Sequence, residues 1–290
     1  MESMDWNLEL NKTHQSRLPD GRFIGYADYG AADGFPVFYF HGSPGSRLEA
    51  YLAAEAAQDQ GVRLIAVDRP GYGLSDPKPD RQLLDWPADV SALADSLGLR
   101  QFSILGASGG GPYALACAFL LSDRLHRVGL AAGLAPFREG RLKLGSRLGL
   151  RFARVAFPLI HKLLESQIQR NPARTVSFAA RLLSTPDQEI LKRPGINAIF
   201  QRSLQEAFRQ GRAGVHRDME LYGTSWGFRL EEVTFPIELW HGEADRLLPP
   251  RMCRRQAEAM PHARAYFIPN EGHFSLPINC AGDIFSRLRS

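Results

Sequence analysis

Phe102-Ser103-Ile104-Leu105-Gly106-Ala107-Ser108-Gly109-Gly110 is the stretch whose reading decides the fold. Phe102 to Leu105 has the character of a strand, and Gly109 to Leu121 has that of a helix. The five residues at the junction, Gly106 to Gly110, fit G-x-S-x-G. Alone the pattern is weak. Between a strand and a helix it has a mechanical meaning: the serine sits on a sharp, strained turn, and small neighbours let the two backbones approach closely. Its hydroxyl then stands at the carboxyl end of a sheet, beside a helix N-terminus that favours developing negative charge.

Strand-like and helix-like segments alternate to either side. Arg22 to Tyr29, Val37 to Phe40, Leu64 to Val67 and Val128 to Ala132 read as strands, as do Ile237 to Trp240 and Ala265 to Ile268. Helical stretches over Arg47 to Gln60 and Leu84 to Leu97 end at Gly61 and Gly98, good stop signals. Another runs from Pro250 to Met260, and a terminal helix closes the chain. Such alternation predicts right-handed crossovers and a mostly parallel sheet. The rhythm breaks near Pro136. From residue 137 to 213 only helical stretches appear, interrupted by Pro158, Pro172, Pro186 and Pro194, before a helix near Arg217 to Trp226 restores it. We therefore expect one core domain from residues 1–136 and 214–290, with residues 137–213 inserted as a helical cap.

Composition agrees with a globular chain. Its 290 residues are 44% hydrophobic and 23% charged, which excludes disordered, fibrous and low-complexity classes. No apolar run reaches the length of a membrane span, and the acid-bearing N-terminus lacks the apolar segment of a signal peptide. Cys117, Cys253 and Cys280 are too few and too dispersed for a disulfide framework or zinc cluster, so a reducing cytoplasm is the expected compartment. The net charge of +4 is unevenly placed. Residues 137–213 hold 15 Lys and Arg against 5 Asp and Glu, a net +10, and the remainder carries −6.

A serine hydroxyl needs a base. Among the 8 histidines, His273 in Asn270-Glu271-Gly272-His273-Phe274 lies after the last predicted strand, where it can reach across the sheet edge. His241 is its closest competitor but ends a strand, as His41 does. The base in turn needs an acid to hold its tautomer. Asp245 follows the strand ending at Trp240 by a short loop, with Glu243 as runner-up. An oxyanion formed at Ser108 needs preorganised donors. The Gly109 N–H is one, and Ser43 in His41-Gly42-Ser43-Pro44-Gly45 supplies the other.

These motifs, with Asp68-Arg69-Pro70-Gly71-Tyr72-Gly73-Leu74-Ser75, carry a resemblance to the α/β-hydrolase fold proteins with a helical cap. The order Ser108, Asp245, His273 is that superfamily's order. The resemblance implies an eight-stranded, mostly parallel sheet with helices on both faces, a lid over the catalytic edge, and no metal or organic cofactor. It also implies that Asp68 to Ser75 is a structural loop shaping the floor of the site. Serine at the elbow argues against epoxide hydrolases and haloalkane dehalogenases, which carry Asp there. Gly109 stands where cofactor-free haloperoxidases and carbon–carbon bond hydrolases usually carry a bulkier residue, often Met, so a roomier pocket is expected beside the nucleophile.

The expected activity is a serine hydrolase acting through an acyl-enzyme on a small or medium carboxylic ester. Carbon–carbon hydrolysis of a keto acid, prolyl-iminopeptidase-like activity and a hydrolase-derived small-molecule receptor stand as alternatives. Arg147, Arg151 and Arg154 fall at helical spacing on one face of the basic segment. Three readings of that stripe stay open: a solvated face, an entrance attracting an anionic acyl substrate, or a contact with anionic lipid. No recognition motif accompanies the charge, so nucleic acid is not an expected partner.

Overall fold

The computed structural model describes residues 12–136 and 165–290. Eight strands form one sheet in the order β1-β2-β4-β3-β5-β6-β7-β8. They are β1 (Thr13–Arg17), β2 (Phe23–Gly30), β3 (Phe35–Phe40), β4 (Val62–Val67), β5 (Phe102–Ala107), β6 (Leu125–Ala131), β7 (Ile237–Gly242) and β8 (Ala263–Ile268). β2 is antiparallel to β1 and β4, and every other pair is parallel. β1 escapes the sequence reading because Thr-His-Gln-Ser-Arg is a polar edge strand with no buried face to give it an apolar pattern.

The central strands have no polar alternation because both faces are covered. Phe38 and Phe40 of β3 join one apolar cluster, while Val37 and Tyr39 join the other. The first cluster packs under α2 (Trp86–Ser96), α3 (Gly111–Leu120) and α8 (Pro250–Ala259). The second packs under α1 (Ala54–Asp59), α9 (Ser275–Asn279) and α10 (Ala281–Arg289). The expected helix over Arg47 to Gln60 is split, since Arg47–Ala53 winds as a tighter 3-10 helix capped by the Ser46 hydroxyl.

Between β6 and β7 the described chain is helical: α4 (Pro172–Ala180), α5 (Thr185–Leu191), α6 (Pro194–Ala207) and α7 (Ala213–Tyr222). α7 begins and ends earlier than the sequence pattern indicates, leaving Trp226 in a loop, buried in the core. The arginine stripe at residues 147, 151 and 154 lies outside the described residues. No helix among the described residues is long and apolar enough to cross a membrane.

Close backbone approach fixes where glycine is required. A Cβ on Gly110 would stand 2.1 Å from the Phe40 carbonyl oxygen, a backbone atom with nowhere to move. A Cβ on Gly282, in α10, would meet nothing within 4 Å. We expect Gly110→Ala to lose several kcal/mol in urea denaturation, and Gly282→Ala to gain about 0.5–1 kcal/mol. Equal effects of the two would contradict this packing.

Candidate active site

Ser108 follows β5 at the start of a short 3-10 turn leading into α3, and its φ of 49° is left-handed. That conformation costs a non-glycine residue about 1–2 kcal/mol. Its neighbours make it attainable. A Cβ on Gly106 would press within 2.8 Å of Ala114 Cβ, so β5 and α3 meet only because that position is bare. The Leu134 N–H donates to the Ser108 carbonyl at 2.9 Å and ties the turn to the end of β6.

The three residues singled out from sequence are brought together. His273 Nε2 lies 2.9 Å from Ser108 Oγ, and its Nδ1 lies 2.8 Å from Asp245 Oδ2. Asp245 is buried, and its other oxygen accepts the Leu247 and Leu248 N–H groups at 2.8 and 2.9 Å. One oxygen is thus fixed to the main chain while the other faces the imidazole. Such a chain can draw the hydroxyl proton toward His273 Nε2.

The competitors fall away for physical reasons. Glu243 is exposed and pairs with Arg254 at 3.3 Å. His241 is buried, packed beside Asp245, and its Nε2 bonds the Leu248 carbonyl at 2.7 Å. Burial lowers its basicity. His41 is also buried, its Nδ1–H donating to the Gly42 carbonyl and its Nε2 accepting the Arg69 N–H. Burial first, and the Arg69 charge second, hold it well below the usual histidine range.

Ser43 and Gly109 stand side by side, the Cβ position of Gly109 lying 3.2 Å from Ser43 N. The loop carrying Ser43 is held on both flanks. Glu49 Oε1 accepts the Gly42 N–H at 2.6 Å and the Tyr39 hydroxyl at 2.8 Å. Arg69 donates to the carbonyls of His41 and Gly42. Asp68 is buried and accepts from Arg47 and the Leu74 N–H, while Ser75 Oγ donates to the Asp68 carbonyl. The Asp68 to Ser75 segment is therefore structural. Asp76 accepts the Phe23 N–H, and Glu271 bonds Asn279 at the surface.

The expected extra room beside Gly109 is absent. The Tyr222 hydroxyl, from α7, would lie 2.6 Å from a Gly109 Cβ, and Ser43 Cβ would lie at 2.8 Å. Tyr222 donates to the Gly109 carbonyl at 2.8 Å and lies 3.1 Å from Asp218. Asp218 is the centre of a wholly buried cluster, bonding Arg69 and Tyr72 through one oxygen and Arg81 and Tyr113 through the other. Burial alone would raise its carboxyl; the two guanidiniums outweigh that and hold it well below the usual carboxylate range. Glu49 shows the opposite balance, its burial raising the carboxyl despite the two donors. Asp218 does not stand out in the sequence, because its Arg69, Tyr72, Arg81 and Tyr113 partners come from distant segments.

A cavity of about 820 Å³ opens from Ser108, His273, Ser43 and Gly109. Its walls are mainly aliphatic and aromatic, with Val176, Leu191, Phe200 and Leu204 contributed by the helices between β6 and α7. No Lys or Arg is among the described lining residues, and Glu49 is their one carboxyl group. Among the described residues no cluster of His, Cys, Asp and Glu is arranged to hold a metal ion.

A serine, imidazole and carboxylate joined by hydrogen bonds at the edge of a mostly parallel sheet can serve hydrolysis, and comparison points to the same class. The family model described as the alpha/beta hydrolase fold matches residues 36–279, and the chain belongs to that family. It is a hydrolytic enzyme. The chain is 26% identical over 253 residues to 2-hydroxymuconate semialdehyde hydrolase of Pseudomonas putida, covering 84% of this chain and 82% of that one. It is 36% identical to non-heme chloroperoxidase of Streptomyces lividans over 119 residues, 40% of this chain and 43% of the other. The structure of a thermophilic esterase from Thermogutta terrifontis superposes with a TM-score of 0.70 at 21% identity, covering 95% and 97% of the two chains.

Asp218→Asn would leave Arg69 and Arg81 buried with their shared charge removed. We expect it to cost about 3–5 kcal/mol in urea denaturation. Glu189→Gln, which breaks an exposed pair with Lys192, should cost no more than about 1 kcal/mol. A small loss at Asp218 would show that the cluster is not a principal support of α7.

Proposed function

We propose that the protein hydrolyses carboxylic esters with apolar acyl groups through a Ser108–His273–Asp245 relay. The observation that carries this reading is the unbroken hydrogen-bonded line from Asp245 to Ser108 at the wall of a large apolar cavity. Ser108 Oγ attacks the ester carbonyl as its proton passes to His273 Nε2. The N–H groups of Ser43 and Gly109 receive the oxyanion, and His273 returns the proton to the departing alcohol. A water deprotonated by the same imidazole then attacks the acyl-enzyme, releasing the acid and restoring Ser108. Asp245 holds Nδ1 as the protonated nitrogen and stabilises the imidazolium.

The apolar walls favour an alkyl or aryl acyl group over a charged one, and the volume suits a substrate of drug-like size. A keto-acid substrate would want a cation beside its carboxylate, and the described lining residues supply none. On this reading residues 137–213 are a cap, whose described helices furnish one wall of the acyl site. The three free cysteines suit a reducing cytoplasm.

Two experiments test the proposal. Ser108→Ala and Ser108→Gly should both abolish turnover of p-nitrophenyl butyrate. The glycine variant should also be the more stable of the two by about 1 kcal/mol, because it relieves the left-handed backbone. Residual activity in both variants would remove Ser108 from the mechanism. Along a series of p-nitrophenyl esters from acetate to hexanoate, kcat/KM should rise by up to about fourfold per methylene. A preference for succinyl over butyryl esters would overturn the apolar acyl site.

A further inference from the structure

The loop that carries His273 is held from outside the core sheet. Asp187, in the third position of α5, is fully buried and turns its carboxylate onto that loop. Oδ2 accepts the His273 N–H at 3.0 Å and the Ser184 hydroxyl at 2.7 Å. Oδ1 accepts the Phe274 N–H at 2.8 Å and the Ser275 N–H at 3.0 Å. Four donors meet the four lone-pair sites of one carboxylate, so the group is saturated and has a single orientation. Three consecutive main-chain N–H groups, beginning at the imidazole-bearing residue, converge on this one side chain.

The fit excludes a looser arrangement. A Cβ on Gly272 would lie 2.3 Å from Asp187 Oδ2 and 2.2 Å from Ser184 Oγ, so glycine lets α5 seat against the loop. Phe274 meets the His273 ring edge-on at 5.1 Å and the Phe200 ring of α6 at 5.1 Å, extending the contact to a second helix of the segment. Asp245 and Ser108 fix the imidazole only from its ring nitrogens, whereas Asp187 fixes the main chain on which the ring is carried.

We propose that Asp187 is the positioning residue for His273, so that the relay is assembled only while α5 is docked on the His273 loop. This rests on the relay proposed above. It assigns the segment between β6 and α7 a role in organising the proton-transfer group, in addition to enclosing the substrate. An imidazole displaced by about 1 Å can cost about 100-fold in rate.

The test is Asp187→Asn, in which an amide NH2 replaces one acceptor oxygen and faces either the His273 N–H or the Phe274 and Ser275 pair. Active sites are counted by covalent labelling with a fluorophosphonate, and p-nitrophenyl butyrate turnover is expressed per labelled site. We expect kcat per site to fall by about 10–100-fold. KM should change little, so that the loss falls on kcat. Unchanged kcat per site would overturn the proposal even if the melting temperature fell, since the residue would then be structural only. Failure of wild-type Ser108 to react with the fluorophosphonate would instead refute the relay itself. Should the variant not fold, hydrogen exchange of the wild-type protein in sub-denaturing urea decides. Peptides covering 184–191 and 270–276 should lose protection together; exchange of the first while the second stays protected would overturn the coupling.

Discussion

The left-handed backbone at Ser108 is the constraint around which the rest of the molecule is arranged. One residue with a φ of 49° reverses the chain between β5 and α3 and aims a hydroxyl into the cavity. The turn is possible only if strand and helix meet at backbone distance, which places glycine at 106 and 110. It is kept only if both flanks are rigid, which the apolar clusters on the two faces of the sheet ensure. Local strain of this kind survives where its surroundings over-determine it. Here β3, β6 and α3 all bear on the same few atoms.

Three loops converge on that hydroxyl, and each is tied by a buried polar contact to a helix between β6 and β7. Asp187 of α5 holds the His273 loop. Ser203 of α6 accepts the Ser46 N–H at 2.9 Å, and Glu206 bonds Arg47, just beyond the loop that carries Ser43. Tyr222 of α7 bonds the Gly109 carbonyl at the elbow. Apolar packing alone would let these helices slide, because it is non-directional. Directional hydrogen bonds, charge-assisted at Asp187 and Glu206, fix their register as well.

Much of this was legible in the sequence, and the boundary of legibility has a physical meaning. The sheet, the elbow, His273 and Asp245 are legible because each lies within a few residues of a strand end, so chain order alone brings them to one edge. Asp187 is not. Ser184-Thr185-Pro186-Asp187 has the form of a local helix cap, yet the Ser184 side chain makes no capping bond to the main chain and its hydroxyl donates to Asp187 instead. The longer reach to residue 273 depends on how α5 packs, which no spacing along the chain encodes. Tyr222 and Asp218 are hidden for the same reason, and their absence from the sequence reading is why Gly109 suggested space that Tyr222 occupies. β1 was missed because a polar edge strand carries no periodic signal.

The partners in these contacts are divided unequally by the start of α7 at Ala213. Asp218 and Tyr222 lie beyond it, and their partners Arg69, Arg81, Tyr113 and Gly109 all belong to the first 136 residues, so that set would survive exchange of the segment before it. Asp187 and Glu206 lie before it and would leave with the exchanged piece. A replacement without an acid facing the histidine loop would strand three main-chain N–H groups, each at a cost of about 1–3 kcal/mol if still buried. Recombination within this architecture is thus constrained less by the shape of the substrate chamber than by hydrogen-bond acceptors that the host scaffold requires. A graft that fits the cavity but omits them would leave the loop carrying His273 without its anchor.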